Sequence, residues 1–314
     1  MKNDLLMVAR GFLMGGADII PGVSGGTIAL IVGIYERLVK AISHFDLQLI
    51  GHVKRRQFRA AADHVDLRFL VTLFIGIATG IASLASLMHY LLEHQQQHTM
   101  AVFFGLILGS SVIVAGLIPE KKPIHFVSLI VGIIVAYVIV GLPVFSSPPE
   151  ASWYFFVCGV IAISAMILPG ISGSFILLIL GTYHTVIGYL KAMLGGNIAL
   201  SELEALGCFA LGCGVGLLGF SKVLRWLLEH FEMIVLATLC GFMLGSLRKI
   251  WPFQLDTTPG EPEFKLKIFE NTVPDFAAGS TWLSVLLMVI AFAAVILLDL
   301  TQRRIAQHKQ IENL

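Results

Sequence analysis

Charged residues are scarce in this chain of 314 residues. They make up 13% of the sequence, whereas a water-soluble domain carries about 25%, and apolar residues reach 57%. A surface facing water could not be built from this composition, so the bilayer is the expected solvent. The net charge of only +1 selects no acidic partner, and we expect no nucleic-acid partner.

Cysteine is scarce as well. The four cysteines stand inside apolar stretches, and none has the spacing to histidine that a metal site needs. We therefore predict that they pack as small apolar residues, with no metal site and no cofactor. They are Cys158, Cys208, Cys213 and Cys240.

Several apolar segments approach the roughly 20 residues that a membrane-spanning helix needs, with tilt accommodating the shorter ones. The predicted spans are Phe69–Leu92, Ala101–Ile118, Ile124–Leu142, Leu203–Ser221, Ile234–Leu247 and Trp282–Leu300. Glycine pairs with three residues between them recur in these spans, and they predict close helix packing. These scaffold pairs are Gly76/Gly80, Gly105/Gly109, Gly212/Gly216 and Gly241/Gly245.

Two other apolar stretches, 5–39 and 153–190, are each interrupted by a Pro-Gly sequence. Pro21-Gly-Val-Ser-Gly-Gly26 divides the first stretch, and Pro169-Gly-Ile-Ser-Gly-Ser174 divides the second. Proline removes a backbone donor and glycine permits a reversal, so the chain can turn at both places. We predict two re-entrant helical hairpins, each of which enters and leaves the membrane on one side.

The two halves of the chain resemble each other. Ala17–Tyr35 and Ala165–Tyr183 are identical at 11 of 19 positions, and Leu91-Leu-Glu-His94 recurs later as Leu227-Leu-Glu-His230. Two matches in the same order indicate duplication of a whole half, a hairpin followed by three spans. The predicted organisation is a first repeat at 1–142, a second repeat at 153–300 and a cytoplasmic tail at 301–314.

Three spans is an odd number, so the second repeat is predicted to be inverted relative to the first. With both termini in the cytoplasm, 16 lysines and arginines fall on the inside and 5 on the outside. This distribution obeys the positive-inside rule and predicts a multi-pass protein of the bacterial inner (cytoplasmic) membrane. The fold class is therefore an all-α polytopic membrane protein with two inverted repeats, whose hairpin tips meet near mid-membrane.

The segment 45–68 mixes apolar and basic residues and is too polar to span. It is interpreted either as an amphipathic helix on the anionic cytoplasmic leaflet or as an ordinary basic loop. Residues 251–281, which contain four prolines, are predicted to form an outside loop.

A hairpin tip inside the membrane leaves unpaired backbone N–H groups at the start of its second helix, and such a helix start favours an anion. Both loops offer glycine amides and hydroxyl groups. We predict substrate binding there, although a simple turn with capping hydroxyls is the alternative. The candidate residues are Pro21, Gly22, Ser24, Gly25, Gly26, Thr27, Pro169, Gly170, Ser172, Gly173 and Ser174.

Asp18 and Arg10 are further candidates for the substrate site. A charge in the bilayer core is costly, so Asp18 should face a cavity or a partner; it would order the loop or take up a coupling proton. Arg10 lies two turns earlier and is interpreted as a partner of the site, an anion ligand or a residue that reaches the inner surface. Coupling to a proton or sodium gradient is therefore left open.

The motifs Gly16-Ala-Asp-Ile-Ile-Pro-Gly-Val-Ser-Gly-Gly-Thr27 and Ile167-Leu-Pro-Gly-Ile-Ser-Gly-Ser174 resemble those of a bacterial membrane family. That family is described as polyprenyl-phosphate transporters of the PopT type, and the resemblance covers nearly the whole chain. It implies undecaprenyl phosphate, the lipid carrier of cell-wall and surface glycans, as the partner. It also implies return of that carrier from the outer to the cytoplasmic leaflet.

The function expected from these observations is translocation of undecaprenyl phosphate by alternating access, with the phosphate held at both loops. The alternative is a secondary transporter of a small soluble anion. An intramembrane enzyme is a third class, but no nucleophile here has a histidine and basic residues nearby in sequence, so we expect no enzyme. Homo-oligomerisation is left open.

Overall fold

The computed structural model describes residues 2–20, 23–118, 122–145, 147–258, 260, 267 and 269–312. These residues are mainly helical, in agreement with the all-α polytopic class. The predicted outside loop contains one antiparallel strand pair, β1 (Gln254–Asp256) and β2 (Phe269–Asn271), which the sequence analysis did not anticipate. Pro21 and Gly22, two of the predicted site residues, lie outside the described residues.

The helices of the first half are α1 (Lys2–Asp18), α2 (Gly25–Ile31), α3 (Tyr35–Ser43), α4 (Leu47–Lys54), α5 (Phe58–His64), α6 (Leu67–His94), α7 (Gln96–Gly116) and α8 (Pro123–Val140). Those of the second half are α9 (Ser152–Ile167), α10 (Gly173–Ile179), α11 (Tyr183–Leu194), α12 (Leu200–Ser246) and α13 (Gly279–Glu312).

Within the described residues, five helices are long and apolar enough to cross a membrane: α6, α7, α8, α12 and residues Gly279–Thr301 of α13. The bent pair α10 and α11 would raise the number to six if it counts as one span. The predicted spans Leu203–Ser221 and Ile234–Leu247 both lie in α12. They are separated at Phe231, whose φ of −135° and ψ of 37° are not helical.

The second arm of each hairpin is broken, which corrects the continuous arms expected from hydropathy. In the first hairpin, α2 and α3 are separated around Gly33, whose φ is +69°. In the second, α10 and α11 bend by 112° around Gly181, whose φ is +72°. Left-handed backbone favours glycine, and three of the four residues beside these glycines are apolar, so hydropathy alone could not reveal the breaks.

The segment 45–68 is not one amphipathic helix. It forms the short helices α4 and α5, while Leu67 and Arg68 already belong to α6. The break lies at Arg56, a non-glycine residue with a φ of +56°. The sequence pattern did not predict this turn, because the apolar residues before and after it are both spaced as they would be in a helix.

The chain divides into two compact units that do not coincide with the two sequence repeats. Unit 1 comprises Met1–Ala85 and Gly141–Val235, and unit 2 comprises Ser86–Val140 and Leu236–Leu314. Unit 1 therefore holds the hairpin region of each half together with most of the helix that follows it. Unit 2 holds the later helices of each half.

Glycines bring helices together in unit 1 in the same way in both halves. The α1–α6 contact and the α9–α12 contact each place glycines of the longer helix against backbone carbonyl groups, where an added Cβ would overlap the oxygen. The matching pairs are Gly76 with Val8, Gly80 with Phe12, Gly212 with Phe156 and Gly216 with Val160. The predicted scaffold role of these glycines is confirmed, and one packing arrangement serves both halves.

In unit 2, each close helix contact made by glycines joins one helix from the first half of the chain to one helix from the second half. Helix α7 of the first half packs on α13 of the second, and α8 of the first half packs on the end of α12. Glycines again face carbonyl groups at each crossing: Gly105 with Met288, Gly109 with Phe292, Gly241 with Leu129 and Gly245 with Ile133.

Candidate functional site

The two Pro-Gly loops are in direct contact within unit 1. The buried hydroxyl of Thr27 accepts a hydrogen bond from the backbone N–H of Gly170, with an N–O distance of 2.8 Å. The Ser24 hydroxyl donates to the carbonyl of Met166 at 3.4 Å. The two loops, 143 residues apart in sequence, are therefore joined through hydroxyl and backbone groups.

Tyr35 adds a further link between the hairpins. Its side chain is buried, and its hydroxyl donates to the carbonyl of Ile167 at 3.1 Å. The carbonyls of Met166 and Ile167 belong to the last turn of α9, where no backbone N–H of the same helix is available to donate to them. The first hairpin thus satisfies the exposed end of a helix in the second.

The first loop is ordered by its own side chains. The Asp18 carboxylate accepts from the backbone N–H of Gly25 at 2.6 Å, and the Ser24 hydroxyl accepts from Gly26 at 3.1 Å, which caps α2. A Cβ on Gly25 would collide with the Asp18 carboxylate, and one on Gly26 would press on the carbonyl of Ile167. Glycine is needed at both positions because of these close approaches.

The second loop has a different chemistry. Pro169 and Gly170 are buried, and Gly170 has a φ of +88°. The hydroxyls of Ser172 and Ser174 lie 2.9 Å apart, and within the described part of the chain Ser172 makes no side-chain capping bond to α10. Gly173 faces the carbonyl of Ala162 on α9, where a side chain would not fit.

An apolar cavity of about 450 Å³ lies in unit 1 and ends at the first loop. Asp18, Gly25 and Gly26 line its polar end, and the rest of the wall is formed by aliphatic and aromatic residues of α1, α3, α6, α9 and α12 together with Ser221 of α12. Phe74, which is 63% exposed, and Phe45, which is 40% exposed, mark where the cavity reaches the surface. A cavity of this size holds a small molecule or part of a larger one.

Arg10 does not join the two loops. It lies eight residues before Asp18 on α1, which corresponds to about 12 Å along the helix axis. Its charge is near that of Arg37, which is held by Asp66 at 2.6 Å and stacks on Phe69. Its predicted part in substrate binding stays a prediction.

Some residues of the site were missed by the sequence analysis. Tyr35 was recognised only as an identity between the repeats, matching Tyr183, and that identity was a usable signal. The cavity wall on α6 and α12, which includes Leu73 and Leu218, carried no signal because these residues look like any apolar span. Their role depends on which face of each helix meets the hairpins.

The chain is similar to one protein family and to two curated proteins that are named as transporters. A family model described as VCA0040-like, undecaprenyl phosphate translocase-like, matches residues 14–262. A polyprenyl-phosphate transporter of Vibrio cholerae is 38% identical over 304 residues, covering 94% of this chain and 96% of the relative. A polyprenyl-phosphate transporter of Staphylococcus aureus is 34% identical over 257 residues, covering 78% and 85%. No solved structure matches the chain significantly.

Proposed function

The chain belongs to the VCA0040-like family of undecaprenyl phosphate translocase-like proteins, and from this membership we propose that it transports a polyprenyl phosphate across the membrane. The proposed substrate is undecaprenyl phosphate, moving from the outer to the cytoplasmic leaflet of the inner membrane. The proposed route is alternating access, with the phosphate held between the two loops in an inverted pair of hairpins.

The observation that carries this proposal is the cavity beside the first loop. Its wall is apolar, and its polar end is formed by Asp18, Gly25 and Gly26. An amphiphile with one phosphate and an apolar chain matches that division, because the chain avoids water while the head group finds polar partners. A small soluble anion would gain nothing from such a wall, so the lipid substrate is favoured over that alternative.

Asp18 gives the proposed mechanism a coupling step. Its carboxylate already accepts the hydrogen bond of the Gly25 N–H. An ionised Asp18 therefore competes with a phosphate for this donor and also repels the phosphate charge. A proton on Asp18 would remove the repulsion and weaken its hold on the loop. Phosphate would then enter together with a proton, and the two would cross together.

Alternating access requires the two hairpins to separate, which would break the hydrogen bonds described between them. Three hydrogen bonds link the loops, from Ser24, Tyr35 and Gly170. Each contributes about 0.5–1.5 kcal/mol net, so breaking all three costs about 1.5–4.5 kcal/mol. A difference of a few kcal/mol between two conformations leaves the minor one accessible, which a transport cycle needs.

The test is leaflet-resolved translocation in vesicles that contain only this protein. Labelled undecaprenyl phosphate should cross faster with the native protein than with the double variant Ser24→Ala/Ser172→Ala. Filling the cavity by Leu218→Trp should slow translocation by about tenfold, a barrier increase of about 1.4 kcal/mol. Leu211→Trp on the same helix is the matched control, because Leu211 is 66% exposed and does not line the cavity.

Two outcomes would contradict the proposal. Equal translocation by the native protein and by the folded Leu218→Trp variant would remove the cavity from the pathway. Uptake of inorganic phosphate, without movement of the lipid, would support the soluble-anion alternative instead. Circular dichroism and gel filtration of each variant show whether it is folded.

A further inference from the structure

A second polar region stands apart from the proposed transport site: the residues 46–66, here called the platform. It consists of α4, α5 and the turns beside them. Helix α4 has no buried residue, and large apolar side chains of the platform are exposed: Leu47 at 84% and Phe58 at 66%. Ile50 and Val53 are each about half exposed. Exposed apolar residues so close together usually mark a contact surface.

Basic residues follow these apolar ones, three of them in a row from Lys54 to Arg56 and a fourth, Arg59, directly after Phe58. Lys54, Arg55, Arg56 and Arg59 are all exposed, and no ion pair among the described residues involves them. A shallow concavity of about 600 Å³ is lined by Arg56, Phe58 and Arg59, with Asp63 at its edge. The platform therefore exposes both apolar and basic side chains; of its three aspartates, Asp46 caps α4 and Asp66 pairs with Arg37, while Asp63 shares the concavity with Arg56 and Arg59.

The platform is held firmly to the rest of unit 1. Arg37 of α3 pairs with Asp66 at 2.6 Å, and a ring nitrogen of His44 bonds the carbonyl of His64 at 2.7 Å. The Asp46 carboxylate caps α4 through the amides of Gln48 and Leu49. Burial acts to raise the pKa of Asp46, but hydrogen bonds from Leu49, His64 and Gln48 outweigh burial and lower that pKa. The carboxylate is therefore charged near neutral pH, and the cap persists.

The position of the platform limits what can cover it. Two residues separate the end of α5 from the start of α6, a candidate membrane span, so the platform lies at the membrane end of that helix.

The second half of the chain has no described segment equivalent to the platform, since only five residues separate α11 from α12. The offset between the repeats is 148 residues at Pro21 and Pro169 but 136 at Leu91 and Leu227, so the first half carries 12 additional residues in between. Among the described residues, the link between α11 and α12 in the second half therefore holds no segment equivalent to the platform.

We propose that the platform binds the head groups of anionic phospholipids in the adjacent leaflet. The arginines and Lys54 pair with lipid phosphates, while Leu47, Ile50 and Phe58 enter the boundary between head groups and acyl chains. Phe45, which precedes the platform, also lines the mouth of the transport cavity. Lipids bound at the platform would therefore lie beside the cavity mouth at Phe45.

Lipid binding to the full-length protein in neutral detergent tests this proposal without any polyprenyl lipid. Phosphatidylglycerol, phosphatidylcholine or inorganic phosphate is added, and bound lipid is counted by native mass spectrometry. Three variants are compared with the native protein: Lys54→Gln/Arg55→Gln/Arg56→Gln/Arg59→Gln, the charge-retaining Arg55→Lys/Arg56→Lys/Arg59→Lys, and Leu47→Ser/Phe58→Ser.

The native protein should bind phosphatidylglycerol in preference to phosphatidylcholine, and binding should weaken as salt is added. The glutamine variant should weaken it by about fivefold for each basic residue removed, the charge-retaining variant should keep it, and the serine variant should reduce it. Equal binding of the two lipids by the native protein would overturn the proposal, as would full displacement of lipid by inorganic phosphate. The two native-protein results overturn the proposal whether or not any variant folds, and a folded glutamine variant that keeps full phosphatidylglycerol binding would overturn it as well. Failure here would leave the transport proposal standing.

Discussion

The Thr27 hydroxyl makes the shortest of the described hydrogen bonds that join the two hairpins. Thr27 is fully buried, and its oxygen is the partner of the Gly170 N–H. A buried N–H without a partner carries its full desolvation cost, whereas removing both partners can be nearly neutral. The contribution of Thr27 to stability therefore lies in accepting the hydrogen bond of the Gly170 N–H, which would otherwise be buried without a partner.

Replacing Thr27 by valine keeps the shape of the side chain but removes the acceptor. We expect Thr27→Val to lower the free energy of unfolding by about 1–3 kcal/mol, because Gly170 is left unsatisfied. Thr27→Ser keeps the acceptor and loses one methyl group, so it should cost only about 0.8 kcal/mol. Thermal or denaturant unfolding in detergent measures both. A serine variant as unstable as the valine variant would show that packing, and not the hydrogen bond, is what matters.

Asp18 allows a second test at the level of one residue. Asp18→Asn keeps an oxygen that can accept from Gly25 but cannot exchange a proton near neutral pH. We expect this variant to translocate lipid at a rate that no longer responds to an imposed pH gradient, while the native protein responds severalfold. Vesicles with and without the gradient provide the measurement. A retained response would limit Asp18 to ordering the loop.

Residue chemistry was only partly predictable from the sequence. The glycines and hydroxyls of both loops were identified, and loop ordering by Asp18 was one of the interpretations considered. The pairing of Thr27 with Gly170 was not predictable, because Phe175 stands at the equivalent place in the second half and gives no repeat signal. Such a contact depends on the register between two distant segments.

The helices of unit 1 pack through glycines that meet backbone groups. A methyl group at Gly76 would overlap the carbonyl of Val8, and neither helix can yield without shifting its backbone. Gly207, on α12, has open space where its Cβ would lie. The two glycines therefore form a matched pair for testing.

Gly76→Ala should lower the unfolding free energy by about 1–3 kcal/mol, as overpacking in a close contact does. Gly207→Ala should be neutral or raise it by up to about 1 kcal/mol, since alanine is the better helix former. Both are compared with the native protein by thermal unfolding in the same detergent. If the two substitutions changed the unfolding free energy equally, the close α1–α6 contact would make no measurable contribution to stability.

Helix number was easier to predict than helix continuity. Hydropathy located the long spans because their composition is set by the bilayer. It could not locate the breaks at Gly33 and Gly181, which follow from backbone conformation. The two predicted spans within α12 are separated at Phe231, as hydropathy predicted. The strand pair in the loop after α12 was missed because its strands are only three residues long.

On the scale of the whole molecule, the two halves are interlaced. Each unit draws helices from both halves, and in unit 2 every glycine-mediated crossing joins a helix of one half to a helix of the other. The predicted repeats 1–142 and 153–300 describe the sequence, and their inversion across the membrane stays a prediction. The compact units could not be inferred from the repeats, because sequence similarity does not report which helices touch.

Separating the halves tests this interlacing. We expect fragments 1–146 and 147–314 to be unstable when each is expressed alone and to associate when they are expressed together. Co-purification through a tag on one fragment, followed by lipid translocation, is the measurement. A first fragment that is monomeric and folds cooperatively without the second would contradict the crossed packing.

The crossed packing also bears on how the protein is made. The ribosome releases α7 and α8 long before α13 and the end of α12 exist, so their glycine-lined faces first meet only lipid. Final assembly must therefore wait until synthesis is nearly complete. A chain truncated before α13 would be left with an uncovered α7 face and would be a natural target for membrane quality-control proteases.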